Sequence, residues 1–474
     1  MDCKKIPFSA EVMRLTAPVR RRSLEQASRL RESVAQWREV RRLRHRGGSG
    51  ALKVAAGSTH GFPMISHTFV YQELLAMHDL AGWAVRIFHS QEADPDDLHQ
   101  AFHYFRRHRT RYRFDRRIQL ADLQYYSRRV PDRVESLLQS LSEYSGIAVA
   151  ELLQRPELLL AFTHTRRLEL WGAQYIHTYF FYDLTLYGLV SSWLLGLPRG
   201  VTAYADHMLQ DWPLKVVPLH LRTADVIVAT SRRIRAELIG IGGPQVASKI
   251  LVKPNGVDGR RLRALERTAP TARPLAVLCV ARIEPKKGLL ELAEATKLLA
   301  DRNRSVRVHV VGAPDRGHAP SEAYAHQLRA RIDELGLSEF MLLHGRMKQE
   351  DLLSLLQQAD VFVAPFIETD SGDKDGIPTA ILEAMSSALP VVGSRAGSIA
   401  ESLDDGVEGF LVPQRDPLAL ADALDRFIAT PPLAPSMGAA ARRRFEREFD
   451  IRVTEPLLHE RIREAVERRR TAHG

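Results

Sequence analysis

An α/β protein with two facing, Rossmann-like doubly wound domains is the fold class this sequence predicts, and three observations predict it. Short apolar runs and helical stretches alternate twice along the chain, over 51–258 and again over 271–433. Short connections between such runs imply a parallel sheet covered by helices on both faces. A polar stretch at 259–273, set off by the turn signal Asn255-Gly256-Val257-Asp258 and by Pro270 and Pro274, separates the two series. At 474 residues and 45% hydrophobic content, each half can bury a sizeable core.

The elements follow in order. Residues 1–50 form a basic extension. Its first 46 residues carry thirteen Lys and Arg against five Asp and Glu, an excess of eight within a net charge of +10. Such a segment is either a solvated arm or a contact for an anionic membrane surface. It has no apolar core of a signal peptide. Phe8 and Trp37 are its only aromatics, too few for base-stacking platforms, so nucleic acid is not expected as a partner.

Gly47-Gly48-Ser49-Gly50 is a flexible join. Residues 52–57 and 83–88 read as the first two strands. Residues from about 92 to 165 are rich in Arg and Tyr with helical periodicity, and are expected to be a helical insertion in the first domain. Strands resume at 174–177, 201–204, 226–229 and 250–253. The apolar stretch 179–197 contains Asp183 and reads as a buried helix, because a bilayer span needs about 18 uncharged apolar residues.

In the second domain, strands are expected at 276–280, 306–311, 341–344, 361–365, 390–392 and 409–412. Helices at 289–300, 323–335, 350–358 and 379–387 fall between them. Residues 434–474 read as charged helices that pack back on the first domain. Cys3 and Cys279 are too few and too far apart for a disulfide framework, which fits a reducing cytoplasm. The expected location is cytoplasmic, peripheral on the cytoplasmic face wherever a membrane is involved.

In open sheets of this kind, ligands sit beyond the carboxyl ends of the strands, where helix N-termini point. Three constellations fall there. Residues 281–288 place Arg282 and Lys287 between a strand and a helix, where a planar fork and a compact charge can grip a diphosphate. Alone, two cations in a surface loop are usually just solvated. Residues 375–383 begin with Asp375, pass through Gly376, Ile377, Pro378 and Thr379 at a helix start, and reach Glu383 one turn in. Free N–H groups there favour anions, and the two carboxylates can accept from hydroxyls, although an acid at a helix start is also ordinary capping. The third constellation is Gly312 and Met347, on strand-end loops that can pass a base across backbone groups. The acidic run 370–375 lacks the ligand spacing of a calcium loop, whose twelfth position here would be Ile381 or Ala384, so no metal is expected.

The ordered set 281–288, Val311-Gly312, 345–352, 359–365 and 375–385 resembles the retaining glycosyltransferases of the large family 4, which have the GT-B fold. Their signature is a carboxylate, seven residues, then Glu. Asp375 and Glu383 match it, with Asp in place of the more usual Glu. Residues 61–69 resemble the first-strand loop of exopolysaccharide transferases related to colanic acid synthesis, and Tyr175-Ile176-His177 and 253–258 also match. The resemblance spans roughly 51–450.

It implies transfer of a sugar from a nucleotide-sugar donor to a saccharide or lipid-linked acceptor, in exopolysaccharide or cell-envelope glycan synthesis. Arg282 and Lys287 would hold the diphosphate and Glu383 the ribose. Asp375 would touch the transferred sugar, and the segment from Gly376 to Thr379 would supply amides. A first-domain loop from Gly57 to Ser66 would close over the reacting centre. No cofactor or metal is implied, since fixed positive charges can stand in for an ion. One departure concerns the strand ending at Tyr204, where relatives often carry His. Either His207 supplies the imidazole or Tyr204 does a different job. His177 is either a satisfied buried histidine or an acceptor contact. The alternative function is a donor-binding protein of the same fold without transfer activity.

Overall fold

The computed structural model describes residues 51–472, apart from 58–60, 64–67, 95–97, 99, 113–114, 182, 205–213, 261–272 and 316. Two parallel sheets organise the chain. The first contains β1 (Lys53–Gly57), β2 (Ala84–His89), β3 (Arg109–Arg111), β4 (Tyr175–Tyr179), β5 (Arg199–Ala203), β6 (Val226–Ala229) and β7 (Ile250–Val252), in the order β3-β2-β1-β4-β5-β6-β7. The second contains β8 (Leu275–Val280), β9 (Val306–Val311), β10 (Met341–Gly345), β11 (Val361–Ala364), β12 (Val391–Ser394) and β13 (Gly409–Val412), in the order β10-β9-β8-β11-β12-β13. Both are doubly wound. The strand order reverses between β1 and β4 in one sheet and between β8 and β11 in the other, and a crevice opens at such a point.

The central strands are short and wholly buried, as β4 and β6 show, because helices cover both faces. In the first domain the principal helices are α1 (Thr68–Asp79), α2 (Arg116–Arg129), α3 (Pro131–Ser145), α4 (Pro156–Trp171), α5 (Asp183–Leu195), α6 (Val217–Thr223) and α7 (Arg232–Gly242). In the second they are α8 (Leu289–Asp301), α9 (Ala319–Glu334), α10 (Gln349–Gln358), α11 (Thr379–Ser386), α12 (Pro417–Ala429) and α13 (Leu433–Glu448). None of the described helices is long and apolar enough to cross a membrane.

Two expectations need correction. The stretch 92–165 is not helical throughout. β3 lies inside it and pairs with β2 as the edge strand of the main sheet; short helical turns at Gln100–Phe102 and Tyr104–Arg107 precede it, and the long helices start at α2. An edge strand of three residues buries only Thr110 and needs ladder bonds rather than an apolar pattern, so its Arg-Thr-Arg sequence gives no strand signal. The apolar stretch 179–197 is also divided: Tyr179 ends β4, and the helix begins at Asp183.

The last helix, α14 (Ile451–Thr471), returns to the first domain. Leu458, Ile462, Ala465 and Val466 join one core cluster with Val54, Val85 and Trp83. The chain crosses between the domains side by side at two places. Val257 donates its N–H to Phe449 O at 3.1 Å, and Ile451 donates to Val257 O at 3.0 Å.

Candidate active site

The site grows from the loops after β8 and β11, the two strands that flank the reversal of strand order. Past β8 the chain keeps its ladder bonds for two more steps: Ala281 N–H donates to Val311 O and Ile283 N–H to Ala313 O. A single turn over Pro285–Lys287 then ends at Gly288, with φ of 59°. A side-chain carbon at Gly288 would stand 1.9 Å from Pro365 O, so only glycine lets this loop press against the end of β11. Ile367 N–H donates to Lys286 O across the same seam.

This packing holds two ammonium groups at the mouth of the crevice. Lys287 Nζ lies 2.5 Å from Asp375 Oδ2, 3.9 Å from Glu284 Oε1 and 4.3 Å from the centre of the Phe366 ring. Lys286 Nζ lies 3.1 Å from Asp373 and 3.7 Å from Asp375 Oδ1. Arg282 pairs with Glu284 at 2.9 Å and Asp315 at 2.5 Å. Burial alone would raise the pKa of Asp375, but the Lys287 and Lys286 charges outweigh it and hold this carboxyl below the usual carboxylate range.

α11 starts at Thr379 behind Pro378, which is extended and caps no N–H with its side chain. Ile381 N–H already donates to Pro378 O at 3.1 Å, which leaves the amides of Thr379 and Ala380 without a helical or side-chain cap partner among the described residues. Glu383, one turn in, has no hydrogen bond or ion pair to its carboxylate among the described residues. Burial pushes its pKa up to about 7. Ile377 is buried, and Met347 packs against the cluster that contains Ile377 and Ile381. Gly312 donates its N–H to Gly345 O at 2.9 Å, so it offers a ligand no free amide.

Asp375 is also the point where the domains meet. Arg233, in the first turn of α7, donates to Asp375 O at 3.1 Å and to Ser398 Oγ at 3.0 Å. Ser231 and Ser398 share a hydrogen bond of 2.9 Å. The Glu401 carboxylate accepts the backbone N–H groups of Arg232 and Arg233 at 2.7 and 2.9 Å, so the second domain caps a helix of the first. A side-chain carbon at Gly376 would stand 2.5 Å from Tyr204 O, so this glycine sets how closely the domains approach.

The structure thus joins Arg282, Lys287 and Asp375 in one charged network, with Gly376, Ile377, Pro378, Thr379 and Glu383 following on from it. The first-domain expectations fare differently. His207 and Ser66 lie outside the described residues. Gly57 closes β1 opposite Thr178. Of the two readings of His177, the structure matches the satisfied buried histidine rather than the acceptor contact. Its side chain is sealed, Nε2 bonds Thr202 Oγ1 at 2.8 Å, Nδ1 bonds Tyr175 Oη at 3.2 Å, and burial pushes its pKa down to about 4. Helices cover both faces of the sheet at β4, so all five of its residues are buried. Tyr204 is buried against Phe69, Phe180 and Tyr179, with ring centres 4.6, 5.1 and 6.1 Å away.

Sequence reasoning missed Glu284, Lys286, Asp373, Arg233, Ser398 and Glu401. Lys286 was legible as the neighbour of Lys287. The cross-domain trio carries no local signal.

Comparison with known proteins gives a consistent picture. Residues 265–444 match the family model for glycosyl transferases group 1. Amylovoran biosynthesis glycosyltransferase AmsK of Erwinia amylovora is 27% identical over 86% of this chain and 98% of its own. The putative colanic acid biosynthesis glycosyltransferase WcaL of Escherichia coli K12 is 29% identical over 83% of this chain and 95% of its own. Among solved structures, Anabaena Alr3699/HepE in complex with UDP-glucose superposes with a TM-score of 0.63 at 17% identity, covering 87% of this chain and 100% of that one. Sucrose-phosphate synthase from Thermosynechococcus elongatus gives 0.63 at 20% identity, covering 87% and 98%. These likenesses show the two-domain GT-B fold.

Proposed function

We propose that this chain, a group 1 glycosyltransferase with the GT-B fold, transfers a sugar with retention from a nucleotide-sugar donor to a saccharide or lipid-linked acceptor in exopolysaccharide or envelope glycan synthesis. One observation carries the reading of the site. The Lys287–Asp375 pair joins the loop after β8 to the segment that leads into the uncapped start of α11, at the reversal of strand order in the second sheet. The names of the full-length relatives support the biosynthetic setting, and the UDP-glucose in the HepE structure supports the donor class.

A donor diphosphate meets Lys287, Arg282 and the first amides of α11. Lys287 then exchanges its carboxylate partner for a phosphate oxygen. Asp375, freed from that pair and held by its carbonyl, accepts from hydroxyls of the sugar. Glu383 accepts from the ribose. As the bond from the anomeric carbon to the phosphate oxygen breaks, negative charge grows on the leaving diphosphate, where the fixed cations stabilise it. The acceptor oxygen bonds to the anomeric carbon on the same face, and its proton passes to the leaving phosphate. No metal is needed, because the positive charge is built in. The work takes place at the cytoplasmic face of a membrane, to which the basic extension is suited.

The experiment supplies a panel of nucleotide sugars with lipid-linked and saccharide acceptors, in the presence of a chelator. Release of nucleoside diphosphate together with a new glycoside of unchanged anomeric configuration is expected. Product that disappears with the chelator and returns with a divalent ion would overturn the metal-free site. Donor binding without product on the whole panel would overturn transfer.

A further inference from the structure

A second charged site lies at the other edge of the first sheet. The loops that precede β5, β6 and β7 open into a cavity of about 740 Å³, closed by α3, α5 and α14. The interdomain contacts sit beyond the carboxyl ends of the same strands, so the sheet itself separates the cavity from the site around Lys287. Each strand rises about 3.3 Å per residue, which puts the two on the order of 15 Å apart through the sheet.

The cavity's walls hold Arg133, Arg222, Lys249, Arg461, Arg468 and Arg469. Asp225 is the one carboxylate among the described lining residues. This imbalance is not inherited from the chain as a whole. The net charge is +10 and residues 1–46 account for +8, which leaves +2 for everything after them. Six cations facing one acid, in a body that is nearly neutral, is a local concentration.

The single carboxylate is already committed. Asp225 accepts the backbone N–H of Arg199 at 3.0 Å and pairs with Arg469 at 3.3 Å. Arg199 lies buried nearby, its guanidinium spent on His220 O and Thr223 Oγ1. Arg461 and Arg468 share Glu464 at a long 3.7 Å each. Arg222 has no side-chain partner among the described residues. Burial pushes the pKa of Lys249 down; Asp225 works against that, and Arg199 and Arg469 reinforce it. Trp193 and Leu189 add an apolar wall.

We propose that this cavity binds a phosphate-bearing anion, a pyrophosphate or a phosphorylated head group, at a place distinct from the donor site. Guanidinium forks suit phosphate oxygens, and the volume exceeds that of a bare phosphate. The inference does not depend on the reading of the donor site.

The test uses the full chain with Lys287→Ala throughout, so that the donor site does not take up the probe. Inorganic pyrophosphate is titrated calorimetrically into this parent, into Arg222→Gln/Arg468→Gln, and into the control Arg329→Gln/Arg443→Gln, which removes two exposed cations from the second domain. Both cavity arginines are exposed, and an unchanged melting temperature verifies the fold. The expected result is saturable binding to the parent and the control, weakened at least tenfold in the cavity variant. Equal affinity in all three, equal weakening in the control, or no binding to the parent would overturn the proposal. A second arm sediments the same proteins with phosphatidylcholine vesicles, with and without phosphatidylglycerol. Loss of binding to the anionic vesicles in the cavity variant alone assigns the site to a lipid head group. Unchanged vesicle binding alongside lost pyrophosphate binding assigns it to a soluble phosphate.

Discussion

In the first domain Lys253, just beyond β7, lies between Glu73 of α1 and Glu455 of α14, at 2.9 and 2.8 Å. All three side chains are sealed from solvent. In the second domain Lys287, just beyond β8, lies 2.5 Å from Asp375, and a tenth and a fifth of those two side chains remain exposed. The ingredients match, but the surroundings do not. Burial opposes the charge on Lys253, yet Glu455 and Glu73 offset it and raise its pKa. Burial raises the pKa of Glu73 as well, but Lys253 and His177 more than reverse it. Glu455 is left raised by burial, in spite of Lys253. A sealed trio of this kind has no route for a partner to enter. Its role is to weld α1, β7 and α14 together. The pair at Lys287 keeps some exposure, which the proposed trade of a carboxylate for a phosphate oxygen requires. Ion pairing by itself therefore does not mark a reaction centre; access to it does.

The widest separation between the two clusters should come from the lysines. Lys253→Met strands two buried carboxylates, a loss of about 3–5 kcal/mol, read as a fall in the denaturant midpoint together with loss of all activity. Lys287→Ala should leave that midpoint almost unmoved and cut turnover by about 10²–10³-fold, the usual cost of removing one fixed stabiliser of a leaving anion. If both variants lost stability alike, the contrast would be gone.

Next in size is a pH effect at Glu383. For the proposed ribose contact the ionised carboxylate is the stronger acceptor, and burial pushes this carboxyl to about 7. Donor affinity should weaken as pH falls below that point, and Glu383→Gln should flatten the profile. Stability runs the other way. The folded carboxyl keeps its proton up to about 7, while the unfolded one releases it in the ordinary range, so stability contributed below that range is lost as pH rises through the window. Chemical denaturation of the wild type and of Glu383→Gln across that interval checks the sign; parallel curves would show that the group is not shifted.

The smallest effect sits at the domain contact. Glu401→Ala removes the cap that the second domain gives to α7, a loss of about 1 kcal/mol. Because Arg233 also holds Asp375 O, KM for the donor should rise more than kcat falls. Glu401→Gln keeps one acceptor oxygen and should recover part of the loss. Steady-state kinetics on the three proteins decides it.

Much of this was readable from the chain alone, for a physical reason. Strands such as 226–229 are apolar throughout because both faces are covered, and 281–288 announces itself by placing Arg, Lys and Gly at a strand end. β3 was hidden because an edge strand that buries one residue has no need of a pattern. The state of His177 was open because a strand end and a core look alike until the neighbours are known. Arg233 and Glu401 stand 168 positions apart, and no periodicity links residues that meet only when two sheets are brought together.

The return of α14 has a consequence for how the protein is made. Trp83, Val85 and Val54 belong to strands and loops synthesised early, yet Leu458 and Ile462 complete their cluster at the far end of the chain. About 200 residues separate β7 from α14. A ribosome adding roughly 5–20 residues each second leaves that apolar surface uncovered for about 10–40 seconds. During that interval the nascent first half carries an unfinished apolar face, which is covered only when the final helix docks.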